Sequence, residues 1–70
     1  MMKPFIFEHW AIWNNDNPFH PRVMVSDESI KKLREFKTHD DAINWLFMDG
    51  HKDCARALNA HIKAAKQGIN

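Results

Sequence analysis

The sequence predicts an α+β fold in which an N-terminal β-hairpin packs on three helices. Residues 4–13 are rich in aromatic and β-branched side chains, which favour a strand. The stretch "NNDNPFHP" concentrates turn-forming residues around two prolines and predicts a loop. From Ser26 onward, capping residues recur at the starts of segments with helical spacing. With 70 residues, the chain is expected to form one compact domain over 1–70.

The two strands of the predicted hairpin span about 4–13 and 22–25. In the first, both alternating sets of side chains are largely apolar, as in a strand that is covered on both faces. A helix over 4–13 is an alternative, because Pro4 suits the first position of a helix. A small all-α bundle is therefore the alternative fold.

The first predicted helix spans about 27–37. Ser26 is a favourable N-cap residue, and the acidic residues that follow it suit the positive end of a helix dipole. Three apolar residues at spacings of three would then form its inward stripe: Ile30, Leu33 and Phe36.

Two further helices are predicted over about 39–49 and 51–67. Thr38 caps the first of them, and Gly50 ends it as the residue after its C-cap. The last helix is amphipathic. Its expected inward face comprises Cys54, Leu58, His61, Ile62 and Ala65.

The amino-acid composition limits the classes of function that this chain can have. The formal net charge is +1, which is too small to indicate a nucleic-acid-binding protein by itself. A single cysteine excludes an internal disulfide and fits a reducing compartment, so we expect a cytoplasmic protein. The apolar run near the N-terminus is interrupted by Glu8 and His9, so we expect neither a signal peptide nor a membrane span.

The segment "GHKDCARALNAH" contains two histidines and a cysteine, which are residue types that bind metal ions. On one straight helix, however, His51 and His61 lie about 15 Å apart along the axis. Zinc ligands lie about 2.0–2.3 Å from the metal, so these two histidines and Cys54 cannot share an ion. A catalytic Cys54 thiolate would need an orienting partner and an oxyanion hole, which the sequence does not supply. We therefore expect no metal, cofactor, small-molecule substrate or enzymatic activity.

Two surfaces are candidates for binding macromolecules. The aromatic residues before residue 20 outnumber what one hairpin face can bury, so Trp10, Trp13 and Phe19 are expected to lie exposed and contact a protein. The alternative is that Trp45, Leu46 and Phe47 cover one hairpin face and the last helix covers the other. The second surface is the outward face of the last helix, formed by Lys52, Arg56, Asn59, Lys63 and Lys66.

These observations favour a non-enzymatic binding protein that docks on another protein or on a second copy of itself. A chain of this size with its own initiator Met suits a regulator, adaptor or inhibitor of the kind that phages and mobile elements carry. The alternative is a nucleic-acid-binding protein that uses the basic face of the last helix, and a small metal-binding domain ranks third.

Overall fold

A computed structural model describes residues 4–15 and 17–67 of the chain. Four strands come first and two helices follow. In chain order the elements are β1 (Phe5–Phe7), β2 (Trp10–Asn15), β3 (Arg22–Asp27), β4 (Lys32–Phe36), α1 (His39–Met48) and α2 (Lys52–Gln67).

The four strands form one antiparallel sheet in the order β1-β2-β3-β4. Residues that lie opposite each other across this sheet are Phe5, Ile12, Val25 and Arg34, one from each strand. Because side chains alternate between faces along a strand, this register fixes which residues of every strand share a face.

One face of the sheet carries the hydrophobic core. Buried side chains of β2 and β3 pack there against buried side chains of both helices, in a cluster comprising Trp10, Ile12, Val23, Val25, Ala42, Leu46, Cys54, Ala55 and Leu58. Both helices therefore lie on the same side of the sheet. Among the described residues, no helix or strand packs on the opposite side.

The predicted helix over 27–37 is wrong, so the chain has two helices in its described residues and not three. Asp27 ends β3, and a turn leads into β4. The Asp27 carboxylate accepts hydrogen bonds from the backbone N–H of Ser29 at 3.0 Å and from its hydroxyl at 2.6 Å. The acidic residue thus stabilises a turn and not a helix N-terminus. Pairing with β3 outweighs the helical spacing of an 11-residue segment, which would be marginal as an isolated helix.

The predicted hairpin is also wrong in detail, because residues 4–13 contain β1, a two-residue turn and most of β2. Glu8 begins this turn with a φ of 53°, a conformation in which glycine or asparagine is usually found. The sequence signals no turn here, since neither Glu8 nor His9 is a typical turn former. The alternative all-α bundle is wrong as well, and the two hairpin faces are not both covered.

The predicted helix ends are confirmed on both sides of α1. The hydroxyl of Thr38 accepts a hydrogen bond from the N–H of Asp41 at 3.1 Å, as an N-cap does. Gly50 has a φ of 86°, and its N–H donates to the carbonyl of Phe47. The N–H of His51 donates to the carbonyl of Leu46 at 2.7 Å, which completes a Schellman motif.

The last helix is continuous from Lys52 to Gln67, close to the predicted 51–67. Cys54 and Leu58 lie in the core and Ile62 packs against it, as expected. His61 and Ala65, expected to face inward, are exposed. Neither helix in the described part of the chain combines the length and apolar character needed to cross a bilayer.

Candidate functional site

The face of the sheet opposite the helices is the candidate site, and we call it the open face. Two adjacent rows of side chains form it. The first row crosses all four strands, and the second crosses β2, β3 and β4. The first row is Ile6, Ala11, Ser26 and Leu33, and the second is Trp13, Met24 and Glu35.

The open face is apolar at its centre and still exposed near its two edge strands. Ile6 on β1 is 62% exposed and Leu33 on β4 is 55% exposed. Between them, Met24 and Ser26 are only 9% and 8% exposed. The result is an apolar sheet surface that is most exposed at Ile6 and Leu33.

Opposite charges lie at the two ends of β3 on this face. Arg22 lies opposite Asn15 at the end nearest the loop between β2 and β3. At the other end, the Ser26 hydroxyl donates a hydrogen bond to the carboxylate of Glu28. Since Ser26 faces the open side, this bond holds the Glu28 carboxylate over the same face.

The predicted protein-contacting aromatic residues fall in three different environments. Trp10 is 4% exposed and belongs to the core, so the expectation that it lies exposed is wrong. Its side chain points to the helix-covered face because it alternates with Ala11 on β2. Trp13 is half-buried on the open face, and Phe19 is 84% exposed in the loop between β2 and β3. The structure brings Trp13 onto the open face and leaves the other two off its central rows.

Trp10 instead forms part of an aromatic cluster at the junction of α1 and α2. The His51 ring centroid lies 4.7 Å from that of Trp10 and 5.7 Å from that of Trp45. The Arg34 guanidinium lies over the Trp45 ring at 4.5 Å, which is a cation–π geometry. His51 also pairs with the Asp49 carboxylate at 2.8 Å. Through these contacts, β4 and the turn between the helices pack against the core.

A cavity of about 160 Å³ adjoins this cluster. Its lining combines both signs of charge, with Asp27 and Asp49 beside Lys32 and Arg34. Hydrogen bonds from Ser29 lower the pKa of Asp27, and His9 at 3.6 Å acts in the same direction. The carboxylates are already engaged with Ser29 and His51, so the cavity is lined by groups that serve the fold.

The position of Cys54 in the core determines the reactivity of its thiol. The thiol is 2% exposed, and burial raises its pKa to about 11, with the nearby Glu8 carboxylate acting in the same direction. A nucleophilic cysteine needs the opposite shift, because the thiolate is the reactive form. Cys54 is therefore a protonated, buried side chain at neutral pH.

The three residues considered for a metal site face different neighbours. His51 stacks on Trp10, Cys54 lies in the core, and the ring of His61 lies 4.9 Å from that of Phe5. Within the described residues, no group of three histidine, cysteine, aspartate or glutamate side chains is placed to hold a metal ion.

The predicted basic face lies on the outer side of α2. Lys52, Arg56 and Lys63 are exposed, and Asn59 is half-buried. Arg56 lies 3.9 Å from Asp53, so part of its charge is already paired. The side chain of Lys66 lies outside the described part of the structure.

Sequence reasoning missed most of the open face. The sequence pattern predicts Leu33 on the inward stripe of a helix that does not form, and it predicts Ile6 on a strand covered on both sides. The signal for this face was present in residues 5–13, where both alternating sets are apolar. The turn at residues 8–9 divides each set between the two faces. In one set Phe5 lies on the core side and Trp13 on the open face, and in the other Ile6 lies on the open face and Trp10 in the core.

Comparison of the chain with protein-family models, with curated proteins and with solved structures finds no match.

Proposed function

We propose that this chain is a non-enzymatic protein-docking domain and that the open face is its binding surface. The observation that carries the proposal is the position of both helices on one side of the sheet, which leaves Ile6 and Leu33 more than half exposed on the other. Sheets normally bury one or both faces against a second layer, so an apolar face without a layer is suited to a partner.

The chemistry of the open face defines the partner. It is the apolar face of a sheet, so the partner surface that fits it is an apolar and nearly flat protein surface, such as another sheet. Arg22 and Glu28 at opposite ends of β3 require an anion and a cation at matching positions of the partner. We place the protein in the cytoplasm, since a single cysteine suits a reducing compartment.

A second candidate function is nucleic-acid binding by α2. It is favoured by the exposure of Lys52, Arg56 and Lys63 along one side of the helix. Binding of this kind weakens steeply as salt rises, because it releases counterions from the phosphate backbone. Binding through the open face would depend far less on salt, since its centre is apolar.

The proposal is tested by affinity capture from the native host with the immobilised chain and with matched variants. The double variant Ile6→Glu with Leu33→Glu places charge on the open face. Met48→Glu is the control, because Met48 is 88% exposed on α1, on the helix side of the molecule. Each captured protein is then purified and titrated against the chain, with Trp fluorescence and salt dependence as readouts.

We expect a captured protein that binds the wild-type chain and Met48→Glu equally, and binds the double variant at least about 30-fold more weakly, from the loss of about 2 kcal/mol of apolar burial. Circular dichroism must show that the double variant is folded. Equal binding by the double variant contradicts the proposal. Loss of binding only on Lys52→Glu with Lys63→Glu, together with capture of DNA or RNA, supports the second candidate.

A further inference from the structure

We infer that the partner which fits the open face is a second copy of this chain, bound face to face with its strands running in the opposite direction. The inference rests on the proposed function, because it assigns an occupant to the same surface. Its basis is the order of residues along the open side of β3, which runs Arg22, Met24, Ser26 and then Glu28. Along the strand the order is a cation, a large apolar residue, a small polar residue and an anion. When a second copy of the strand runs in the opposite direction, each cation faces an anion and each large residue faces a small one.

A two-fold axis level with Val25 brings these residues together. Such an axis lies between the two sheets and reverses the strand direction, so Arg22 of one copy faces Glu28 of the other. Met24 then faces Ser26, a large side chain against a small one. Because both copies are identical, each contact occurs twice in the dimer.

The neighbouring strand fits the same axis. Ile12 lies level with Val25 in the sheet register, so the axis passes level with Ile12 on β2. Trp13 of one copy then faces Ala11 of the other, again a large side chain against a small one. Alternation of large and small residues lets two facing layers interdigitate on β2 and β3. On β4 the axis passes level with Arg34, so Leu33 of one copy faces Glu35 of the other at the rim of the interface.

Sheet geometry allows the charged contact. Packed sheets lie about 10 Å apart, a gap that an arginine and a glutamate span together. Arg22 and Glu28 are three residues from the axis, or about 10 Å along the strand. Aligned sheets cross at about 30°, which displaces the facing residues sideways by about 5 Å at that distance. The flexible arginine side chain accommodates this displacement.

Pairing of two copies through the β4 edge of the sheet is a poorer route to a dimer. Two copies of β4 can pair antiparallel about Leu33, Arg34 or Glu35. The first register places Lys32 opposite Arg34, and the other two place Arg34 or Glu35 opposite itself. Like charges directly opposite each other destabilise strand pairing, so β4 is a protected edge.

The size of the open face predicts a weak dimer. The four strands contain 20 residues, and at about 4.8 Å between strands and about 3.4 Å per residue they give a footprint of about 330 Å² per copy. The dimer would therefore bury about 650 Å² in flat projection, which is below the about 1,000 Å² that stable specific interfaces exceed. We expect the dimer to have a dissociation constant in the micromolar range and not in the nanomolar range.

Sedimentation velocity on the full chain from 1 to 300 µM tests the inference. The wild-type chain is expected to move from monomer to dimer across this range. Arg22→Glu and Glu28→Arg each place like charges in contact and should weaken the dimer by at least 10-fold. The double variant restores opposite charges and should recover most of the wild-type association. Met48→Glu on the exposed side of α1 is the control and should leave association unchanged.

A crosslinking experiment tests the same contact without charge reversal, so the inference can still be tested if a charge-reversal variant fails to fold. In a Cys54→Ala background, Arg22→Cys is mixed with Glu28→Cys and treated with a bismaleimide whose span matches the about 10 Å between packed sheets. Crosslinks should form in the mixture and not in either variant alone, since identical positions lie about 20 Å apart.

A chain that stays monomeric at 300 µM overturns the inference, and so does a double variant no better than the single ones. If the chain is monomeric while affinity capture still fails for Ile6→Glu with Leu33→Glu, the open face docks a different protein. In that case the proposed function stands and the second copy is excluded.

Discussion

Cys54 shows how position in the fold fixes the chemistry of a single side chain. The sequence places it in the first turn of a helix, where a cysteine is often activated, but it also places it on the apolar side. Burial determines the outcome, since the pKa of the thiol rises to about 11. The folded protein therefore keeps this thiol protonated well above neutral pH.

A pH dependence of stability follows. The unfolded chain loses the thiol proton near 9.0, whereas the folded chain holds it to about 11. Between these values the unfolded state binds fewer protons, so the free energy of unfolding falls as pH rises. We expect Cys54 to contribute a loss of about 1 to 2 kcal/mol between pH 9 and pH 11.

Urea unfolding of the wild-type chain and of Cys54→Ala at pH 8, 9, 10 and 11 measures this contribution as the difference between the two pH profiles. The thiol should also resist alkylation at pH 8 in the folded state and react rapidly in urea. Parallel profiles for the two proteins, or equal alkylation of the folded and unfolded chains, would contradict the buried position.

At the scale of elements, β4 is where local sequence preference and tertiary structure disagree. As a helix, the segment would have directed Ile30, Leu33 and Phe36 inward together. As a strand it alternates, so Phe36 packs on Trp45 with ring centroids 5.8 Å apart while Leu33 stays 55% exposed. The charged residues of this strand, Lys32, Arg34 and Glu35, protect the edge of the sheet.

Two substitutions distinguish a strand at this position from the predicted helix. Phe36→Ala removes a side chain packed on the core and should lower the free energy of unfolding by about 2 to 3 kcal/mol. Leu33→Ala removes an exposed side chain and should cost less than about 0.5 kcal/mol when measured below 1 µM protein. Equal costs for the two substitutions would argue that both side chains face the core.

The helices could be predicted because their ends carry local signals. Thr38 and Gly50 act within one or two turns of backbone, so their roles do not depend on distant contacts. The strands could not be delimited in the same way. The turn at Glu8 carries no turn-forming residue, and the strand character of β4 arises only from pairing with β3. The exposure predicted for Trp10 is wrong because the direction of its side chain depends on this turn.

At the scale of the whole molecule, the two-layer arrangement determines the site. The sequence showed a surplus of aromatic residues near the N-terminus but not which of them the helices cover. That question is settled by the placement of α1 and α2 on one side of the sheet. The open face then contains Trp13 from the predicted surface, and it adds Ile6, Met24 and Leu33.

The central claim is that one face of the sheet is covered and the other is open to a partner. Methyl NMR with a water-borne paramagnetic probe tests it on the wild-type chain at low and high protein concentration. At low concentration the methyl signals of Ile6 and Leu33 should broaden, while those of Ile12, Val25 and Leu46 stay sharp, and high concentration should protect Ile6 and Leu33. Broadening of Ile12 or Val25, or lasting protection of Ile6 and Leu33 in dilute monomer, would contradict the account.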